Sequence, residues 1–323
     1  MVPSRLPAIS ELTENVAGWG YFLCTDKALR TGRGGDYLAL TLSDASGEVA
    51  GRIFDNLERL RDEFDAGEFV KVQGRLQIFN GRSQFVVENI RRVMTGSDSQ
   101  DRRDGFSEEA VLPSAPRPVD DMWTELQNVI GAIRDPSLQV LLRRLVVENE
   151  TALRIWPAAR RMHHAYRGGL LEHVLSMAEA GRMLASLYGA RVDLVVAGAI
   201  LHDIGKLQEL HYEAGTTYTR DGNLVGHITL GAMAVAEACR GIAGFPDELR
   251  AELLHLIVSH HGARERGSPI EPASLEACIL SAVDDLDARV NRVKRAIADD
   301  VSDGEFTAYD TRLGRIIWKG SRR

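Results

Sequence analysis

Histidines and aspartates recur through the second half of this 323-residue chain, within sequence that is otherwise apolar and helical in pattern. The clearest case is AGAILHDIGKLQEL, residues 197–210, in which His202 and Asp203 end an apolar stretch and Lys206 follows three residues later. A carboxylate on an apolar face is costly unless it is neutralised or binds a metal. Further candidates in the same region are His163, His164, His173, His227, His260, His261 and Asp284.

Imidazole nitrogens combined with carboxylates favour Mn, Fe, Co or Zn, whereas a magnesium site is mostly oxygen. Two divalent ions about 3.5 to 4 Å apart need a shared ligand, and a carboxylate can bridge them with its two oxygens. Asp203 is the natural bridge. A lone histidine on an apolar face is usually a core residue, but this many on successive helices predicts a two-metal centre that activates water and binds phosphate.

The helices that must position these residues are predicted by apolar residues that recur at intervals of three and four. The first set consists of Leu170, Val174, Met177, Gly181 and Leu184. The second set, which ends in the His-Asp pair, consists of Val192, Val196, Ala199 and Asp203. We therefore predict an all-α helical domain over residues 122–323.

The first 94 residues have a different period. Short alternating runs predict five strands, the first in GWGYFLCTDKAL, with the helix NLERLRDEF between the third and fourth and Asn80-Gly81 as a hairpin signal. A five-stranded barrel with a helix in that place is the OB-fold architecture, which binds single-stranded nucleic acids or oligosaccharides. A barrel that is only structural or that binds protein remains the alternative.

One strand of this barrel carries a candidate binding face. In VKVQGRLQIF, the residues Val70, Val72, Leu76 and Ile78 share one phase, which leaves Lys71, Gln73, Arg75, Gln77 and Phe79 on the other. An aromatic ring on a cationic face suits base stacking beside phosphate contacts, so we predict that Arg75 and Phe79 bind substrate. Three other aromatic residues are equally compatible with this face or with the core: Trp19, Tyr21 and Tyr37.

The segment between the two domains, residues 95–121, holds three basic and seven acidic residues and is rich in Gly, Ser and Pro. We predict an acidic linker there, which accounts for over half of the net charge of −7 and leaves both domains nearly neutral. The three cysteines form no CxxC pair and favour a reducing compartment. The N-terminus lacks a signal-peptide pattern and VDLVVAGAIL is too short to span a bilayer, so a cytoplasmic protein without a membrane partner is expected.

The ordered set His173, His202-Asp203, His227, His260-His261 and Asp284 resembles the ligand pattern of the binuclear branch of the HD-domain phosphohydrolases. By that resemblance, one metal takes His173, His202, Asp203 and Asp284, and the other takes Asp203, His227, His260 and His261. Asp285 lies beside Asp284, and the sequence leaves open which of the two is the ligand.

The whole chain resembles the YhaM-type 3′-to-5′ exoribonucleases, which join an N-terminal OB domain to an HD domain. The resemblance runs from the barrel strands through HHAYRGGLLEHVLSMA, AGAILHDIGKLQEL, YTRDGNLVGHITLG and SHHGARERGSP to DDLDAR. It implies hydrolysis of single-stranded RNA, with DNA also open, to nucleoside monophosphates, with two divalent ions of which Mn²⁺ fits best and Co²⁺, Fe²⁺ or Zn²⁺ also fit.

The resemblance also suggests residues that act on substrate. Lys206 can add a cation to the transition state as a catalytic residue beside Asp203, or it is a surface lysine at a helix end. The segment RRMHHAYRGG precedes the first ligand and lies near the catalytic centre in that family. His164, Tyr166 and Arg167 are therefore candidates for binding the terminal nucleotide, with support of the metal ligands as the alternative.

Three other functions remain open. A cyclic-dinucleotide phosphodiesterase uses the same ligand order, but SHHGARERGSP replaces the HHExxDGxGYP signature of those enzymes. A phosphatase of small nucleotides has no need of an OB domain. A nucleic-acid-binding protein with a decayed HD domain should have lost ligands, and none is missing.

Overall fold

A computed structural model of the protein describes residues 4–32, 35–79, 82–96, 98–112, 115–158, 166–212, 216–298, 300, 304–310 and 313–320. The chain divides into two compact units, residues 1–114 with 212–217, and residues 115–211 with 218–323. No helix in the described part is both long enough and apolar enough to cross a membrane.

The first unit contains a closed five-stranded barrel. Its elements are β1 (Ala17–Gly32), β2 (Gly35–Asp44), β3 (Gly47–Ile53), α1 (Leu57–Leu60), β4 (Phe69–Phe79) and β5 (Arg82–Arg92). The strand order is β1-β2-β3-β5-β4, and each pair is antiparallel except β3 with β5. Five strands with a helix between the third and fourth confirm the predicted OB fold.

The alternation of β4 confirms most of the predicted phase. Val70, Val72 and Leu76 are buried, but Ile78 is 52% exposed, contrary to the prediction that it shares their inward face. The reason is that β1 pairs with β4 only as far as Arg75, so the end of β4 extends beyond the barrel and pairs only with β5. Asn80 and Gly81 lie outside the described residues, and Phe79 pairs with Arg82 on either side of them.

The segment predicted as a linker is folded over most of its described length. It contains α2 (Gln100–Arg103) and α3 (Glu108–Val111), and Phe106, Val111 and Leu112 are buried in a cluster with the barrel residues Tyr21 and Phe69. The prediction of a linker without helix therefore differs from the structure. Composition was misleading because some of its acidic residues are ion-paired.

The buried member of that acidic segment is Asp101, whose carboxylate binds Arg91 at 2.6 and 2.7 Å and accepts a hydrogen bond from the hydroxyl of Tyr21. Lys71 binds Asp104 at 2.9 Å. Tyr21 is thus a buried residue of this contact and not part of an open binding face.

The second unit is mainly helical, as predicted. Its helices are α4 (Val119–Gly131), α5 (Pro136–Glu148), α6 (Glu150–Ile155), α7 (Gly169–Tyr188), α8 (Val192–Leu201), α9 (Lys206–Glu209), α10 (Arg220–Leu224), α11 (His227–Arg240), α12 (Asp247–Ser259) and α13 (Leu275–Ala298). Between α9 and α10 the chain forms two short strands, β6 (Leu210–Tyr212) and β7 (Thr216–Tyr218), whose residues are divided between the two units. The small sheet of β6 and β7 departs from the prediction of helix throughout. Helix α8 is buried from Leu194 to Leu201 and contacts α5, α7, α12 and α13, so the residues that follow it lie inside the bundle.

Candidate metal centre

The predicted ligands lie at the ends of helices or on helix faces directed toward a common centre around Asp203. His202 and Asp203 form the turn between α8 and α9, and His227 is the first residue of α11. The remaining ligand positions lie early in α7, directly after α12, and in the middle of α13: His173, His260 with His261, and Asp284. Because three of these five segments are helix termini, the backbone can bring their side chains together without burying a long polar face.

Gly205 allows the turn after Asp203 to approach α11. A Cβ at this position would lie 2.0 Å from the carbonyl oxygen of His227 and 2.5 Å from the amide nitrogen of Gly231. Only glycine fits this approach, which brings His227 within reach of Asp203. The glycine in HDIGK therefore allows the close backbone contact that positions the site.

The two carboxylate oxygens of Asp203 face different histidines. Oδ2 lies 3.2 Å from His202 Nε2 and 3.6 Å from His173 Nε2. Oδ1 lies 3.5 Å from His227 Nε2 and 3.8 Å from His260 Nε2. A carboxylate divided in this way would suit a ligand shared between two metal ions.

Two groups of potential ligands flank Asp203. The ligand atoms of His173, His202 and Asp284 lie within 4.8 Å of one another, and so do those of His227, His260 and His261. The structure thus brings all seven predicted ligands together in two sets of three around one carboxylate. Clusters of histidine and aspartate that could hold a metal ion are therefore present.

Three buried atoms at the centre have no hydrogen-bond partner among the described residues: Asp203 Oδ1, His227 Nε2 and His260 Nε2. Leaving such an atom unsatisfied costs about 1 to 3 kcal/mol, so native structures rarely keep several together. All three are lone-pair donors of the kind that bind transition metals. The residues present therefore fit divalent metal ions.

Each of the five histidines is fixed through Nδ1, so that Nε2 is the atom that faces the centre. Backbone carbonyls of Ala199, Ile257 and Arg266 accept from His202, His260 and His261 at 2.9, 2.7 and 2.9 Å. Carboxylates hold the other two: Asp287 lies 2.8 Å from His173, and Glu209 lies 3.0 Å from His227. Such partners fix the tautomer and orientation of a metal-binding imidazole.

Sequence reasoning missed Asp287 and Glu209. Asp287 follows Asp284 by three residues on α13, a spacing that puts both on one helix face, and this signal was available. Glu209 had no such signal, because its contact with His227 joins two helices. Ser176 also donates to Asp287 at 2.5 Å and fixes its other oxygen.

The electrostatics of the centre keep its carboxylates ionised. Burial raises the pKa of Asp203, but the charges of Lys206, His202 and His227 outweigh it and hold the pKa well below its usual range. Burial also opposes the charged form of His173, yet hydrogen bonds with Asp284 and Asp287 raise its pKa to about 9. Since a metal ligand must be deprotonated, a metal ion bound at His173 would displace a proton.

Matches to known proteins agree with both units. A family model described as the HD domain matches residues 170–289, and one described as an OB-fold nucleic acid binding domain matches residues 25–93. The 3′-5′ exoribonuclease YhaM of Bacillus pumilus is 36% identical over 275 residues, which cover 85% of each chain. The protein of the same name from Bacillus subtilis is 35% identical with the same coverage. The chain belongs to the YhaM exoribonuclease family.

Solved structures with a similar fold include the second OB-fold domain of replication protein A from Methanococcus maripaludis, at 21% identity and a TM-score of 0.25. That match covers 29% of this YhaM-family chain and 98% of the domain. The OB domain of MM0293 from Methanosarcina mazei has 16% identity and a TM-score of 0.25, and covers 29% and 86%. Each match spans less than a third of this chain.

The structure also decides two positions of this YhaM-family member that the sequence left open. Lys206 is 8% exposed and its Nζ lies 2.5 Å from Asp203 Oδ2, so it is not a surface lysine. Asp284 Oδ1 lies 3.4 Å from His173 Nε2, whereas Asp285 binds Arg266 and Arg289. Of the adjacent pair, Asp284 is the one that faces the centre.

The residues predicted to bind substrate do not lie in a single cluster as the metal ligands do. Tyr166 is half-buried and its hydroxyl donates to Glu172 in the first turn of α7, while Arg167 is also half-buried. His163 and His164 lie outside the described residues. On the barrel, Arg75 is exposed and Phe79 is 63% exposed.

A second aromatic group on the barrel was only partly foreseen. Tyr37 of β2 packs against Phe54 with ring centroids 5.7 Å apart, and the guanidinium of Arg52 lies 5.5 Å from the Tyr37 ring. Phe54 is 49% exposed. Strands β2 and β3 form the face on which OB folds bind oligonucleotides, so this group adds to the candidate surface.

Proposed function

We propose that the protein is a two-metal 3′-to-5′ exonuclease that hydrolyses single-stranded RNA to nucleoside monophosphates. The observation that carries the proposal is the division of the Asp203 oxygens between two sets of histidines. The relatives named YhaM, which are called 3′-5′ exoribonucleases, support the polarity and the substrate.

Two metal ions would be held by the two sets that share Asp203: His173, His202 and Asp284, and His227, His260 and His261. When bound, such a pair lowers the pKa of a water and neutralises charge on phosphate oxygens. We propose Mn²⁺, with Co²⁺, Fe²⁺ or Zn²⁺ as ions that the five imidazoles also suit.

The chain's own groups then orient and stabilise the reacting phosphodiester. Asp203 holds the ammonium of Lys206 beside the centre, where it can donate to a phosphate oxygen as negative charge develops. Burial of His173, His202 and His260 removes water from one side of the centre, which strengthens these electrostatic effects. We assign catalytic roles to Asp203 and Lys206.

Substrate binding is proposed at two places. On the barrel, Phe79 and the pair of Tyr37 and Phe54 stack on bases while Arg75 and Arg52 contact phosphates. In the helical unit, Tyr166 and Arg167 lie just before α7, seven and six residues before His173 in the sequence, and His164 precedes them. We propose that these three contact the terminal nucleotide.

The decisive assay uses single strands of RNA and of DNA carrying a label at the 5′ end. With Mn²⁺, the full chain should convert labelled RNA into a descending ladder, and DNA in parallel measures the preference for sugar. Immediate release of the labelled 5′ nucleotide would contradict the polarity, and cuts within a circular strand would contradict exonuclease action. Hydrolysis of cyclic dinucleotides in preference to RNA would favour a small-nucleotide phosphodiesterase.

A further inference from the structure

The loop that follows the histidine pair supports His261 through its backbone and carries arginine side chains beside the centre. It runs from Gly262 to Gly267 as GARERG and contains a short 3₁₀ turn, Arg264–Arg266. A Cβ on Gly262, whose φ is +80°, would lie 2.5 Å from Ser281 Oγ, so the loop packs closely against α13. The backbone carbonyl of Arg266 accepts from His261 Nδ1 at 2.9 Å, which places the loop beside a ligand.

Asp285 joins this loop to α13. Its Oδ1 accepts from Arg266 Nη1 at 3.0 Å, and its Oδ2 lies 2.8 Å from Arg289 Nε. Both arginine side chains are more than half exposed, at 54% and 62%. A guanidinium has five N–H donors, so each arginine keeps donors that face solvent after binding one carboxylate oxygen.

This side of the centre is also the more open one. His173, His202 and His260 are buried, whereas His227 and His261 are partly exposed. Arg266 therefore lies next to the accessible half of the ligand set, and Asp285 connects Arg289 to it.

We propose that Arg266 and Arg289, held in place by Asp285, bind backbone phosphates of the RNA strand next to the bond that is hydrolysed. Arginine binds phosphate in a bidentate geometry, and an exposed ion pair by itself adds little to stability. One carboxylate between two guanidinium groups leaves a net positive charge for the substrate. This inference rests on the proposed exonuclease function.

The test compares Arg266→Ala, Arg289→Ala and the double variant with the matched control Arg240→Ala. Arg240 is 63% exposed and paired with Glu237 at 3.1 Å, so its environment resembles that of the two arginines. It is the last residue of α11 and therefore lies at the opposite end of that helix from the ligand His227. Each single variant should raise KM for single-stranded RNA about fivefold, with kcat changed less. The dependence of log KM on log salt should fall by about 0.7 for each arginine lost, because each phosphate contact releases counterions.

Metal content separates binding from folding of the centre. The Arg289→Ala variant should keep the wild-type amount of Mn²⁺ per chain, because alanine suits the helix and touches no ligand. The rate on bis(p-nitrophenyl) phosphate should fall less than the rate on RNA. A KM and a salt dependence equal to those of Arg240→Ala would overturn the proposal, and so would loss of metal in parallel with loss of RNA affinity.

Affinity for RNA is also measured by fluorescence anisotropy with each substitution made in the Asp203→Ala chain. Failure of the exonuclease proposal appears as intact labelled RNA with the wild-type chain. Failure of the present proposal appears as arginine variants that bind RNA as tightly as their parent. The two results are therefore distinguishable.

Discussion

At the residue scale, Asp203 is the group that lies between the two halves of the centre. Its two oxygens face separate sets of histidines, at 3.2 Å from His202 and 3.5 Å from His227. Asp284, by contrast, belongs to one set only. The two aspartates therefore differ in how many metal ions each should hold.

Replacing Asp203 with alanine should remove a ligand from both metals and lower hydrolysis of RNA by a factor of at least about 10³, which corresponds to roughly 4 kcal/mol. Metal analysis of the purified chain should show loss at both positions, whereas Asp284→Ala should weaken one of the two. Turnover near the wild-type rate with full metal content in Asp203→Ala would refute the bridging assignment.

Glu209 contributes through another residue, since it accepts hydrogen bonds from both the backbone amide and Nδ1 of His227, each at 3.0 Å. Glu209→Gln should lower the affinity of the His227 set for Mn²⁺ by about 10- to 100-fold, because the imidazole loses an anionic partner. A two-step metal titration would detect this as a change in one step. Glu179→Gln, at an exposed ion pair on α7, serves as the control and should leave both steps unchanged.

At the element scale, the approach of the turn after α8 to α11 decides whether the ligands meet. Gly205→Ala should destabilise the helical unit by about 3 kcal/mol, because its Cβ would overlap the backbone of α11. We expect a lower Tm and a lower metal content. Gly131→Ala is the control, since its Cβ would meet nothing closer than 4.0 Å, and an unchanged Tm in Gly205→Ala would contradict the packing described here.

The folded segment after β5 makes the barrel unit sensitive to acid. A bidentate hydrogen bond from Arg91 holds the pKa of Asp101 well below its usual range. Burial opposes this effect, and a hydrogen bond from the backbone amide of Met94 adds to it. A lowered folded-state pKa gives stability that is complete above the unfolded value of about 3.9 and is lost as the pH falls below it.

Asp101→Asn should therefore destabilise the barrel unit by about 2 kcal/mol at pH 7 and flatten its stability between about pH 4 and pH 2. Denaturant unfolding monitored by tryptophan fluorescence at each pH measures this. The exposed Asp62, 84% accessible, provides Asp62→Asn as control. Equal acid sensitivity of wild type and Asp101→Asn would show that the ion pair does not set it.

At the scale of the whole molecule, a barrel with exposed aromatic residues and a metal centre in a helical unit suit an enzyme that binds a long strand and acts on its end. The affinity for RNA should then depend on residues far in sequence from the ligands. Phe79→Ala should weaken binding of a long single strand about tenfold, since stacking contributes about 1 to 3 kcal/mol per base.

The neighbouring Ile78 offers a close control. It is 52% exposed, against 63% for Phe79, and carries no ring. Fluorescence anisotropy with labelled single-stranded RNA should show the loss in Phe79→Ala and not in Ile78→Ala. Equal affinities in the two variants would remove Phe79 from the proposed binding surface.

The sequence by itself determined the two-part organisation and the candidate ligands. Alternation of period two and periods of three and four separate a barrel from helices, because each reflects burial of one face. The seven ligand positions are recognisable because burying a histidine or aspartate in an apolar helix costs free energy unless the side chain is paired or binds a metal. The resemblance to YhaM exoribonucleases followed from the same residues and is confirmed by the relatives.

Only the tertiary structure decided which groups meet. Asp284 rather than Asp285 faces His173, Glu209 supports His227, and Asp101 folds the acidic segment onto the barrel. Asp284 and Asp285 are adjacent in the sequence and differ only in the direction in which each side chain leaves the helix. The other contacts join residues on separate elements. Local composition and periodicity report burial, but the pairing of charges across elements depends on how those elements pack.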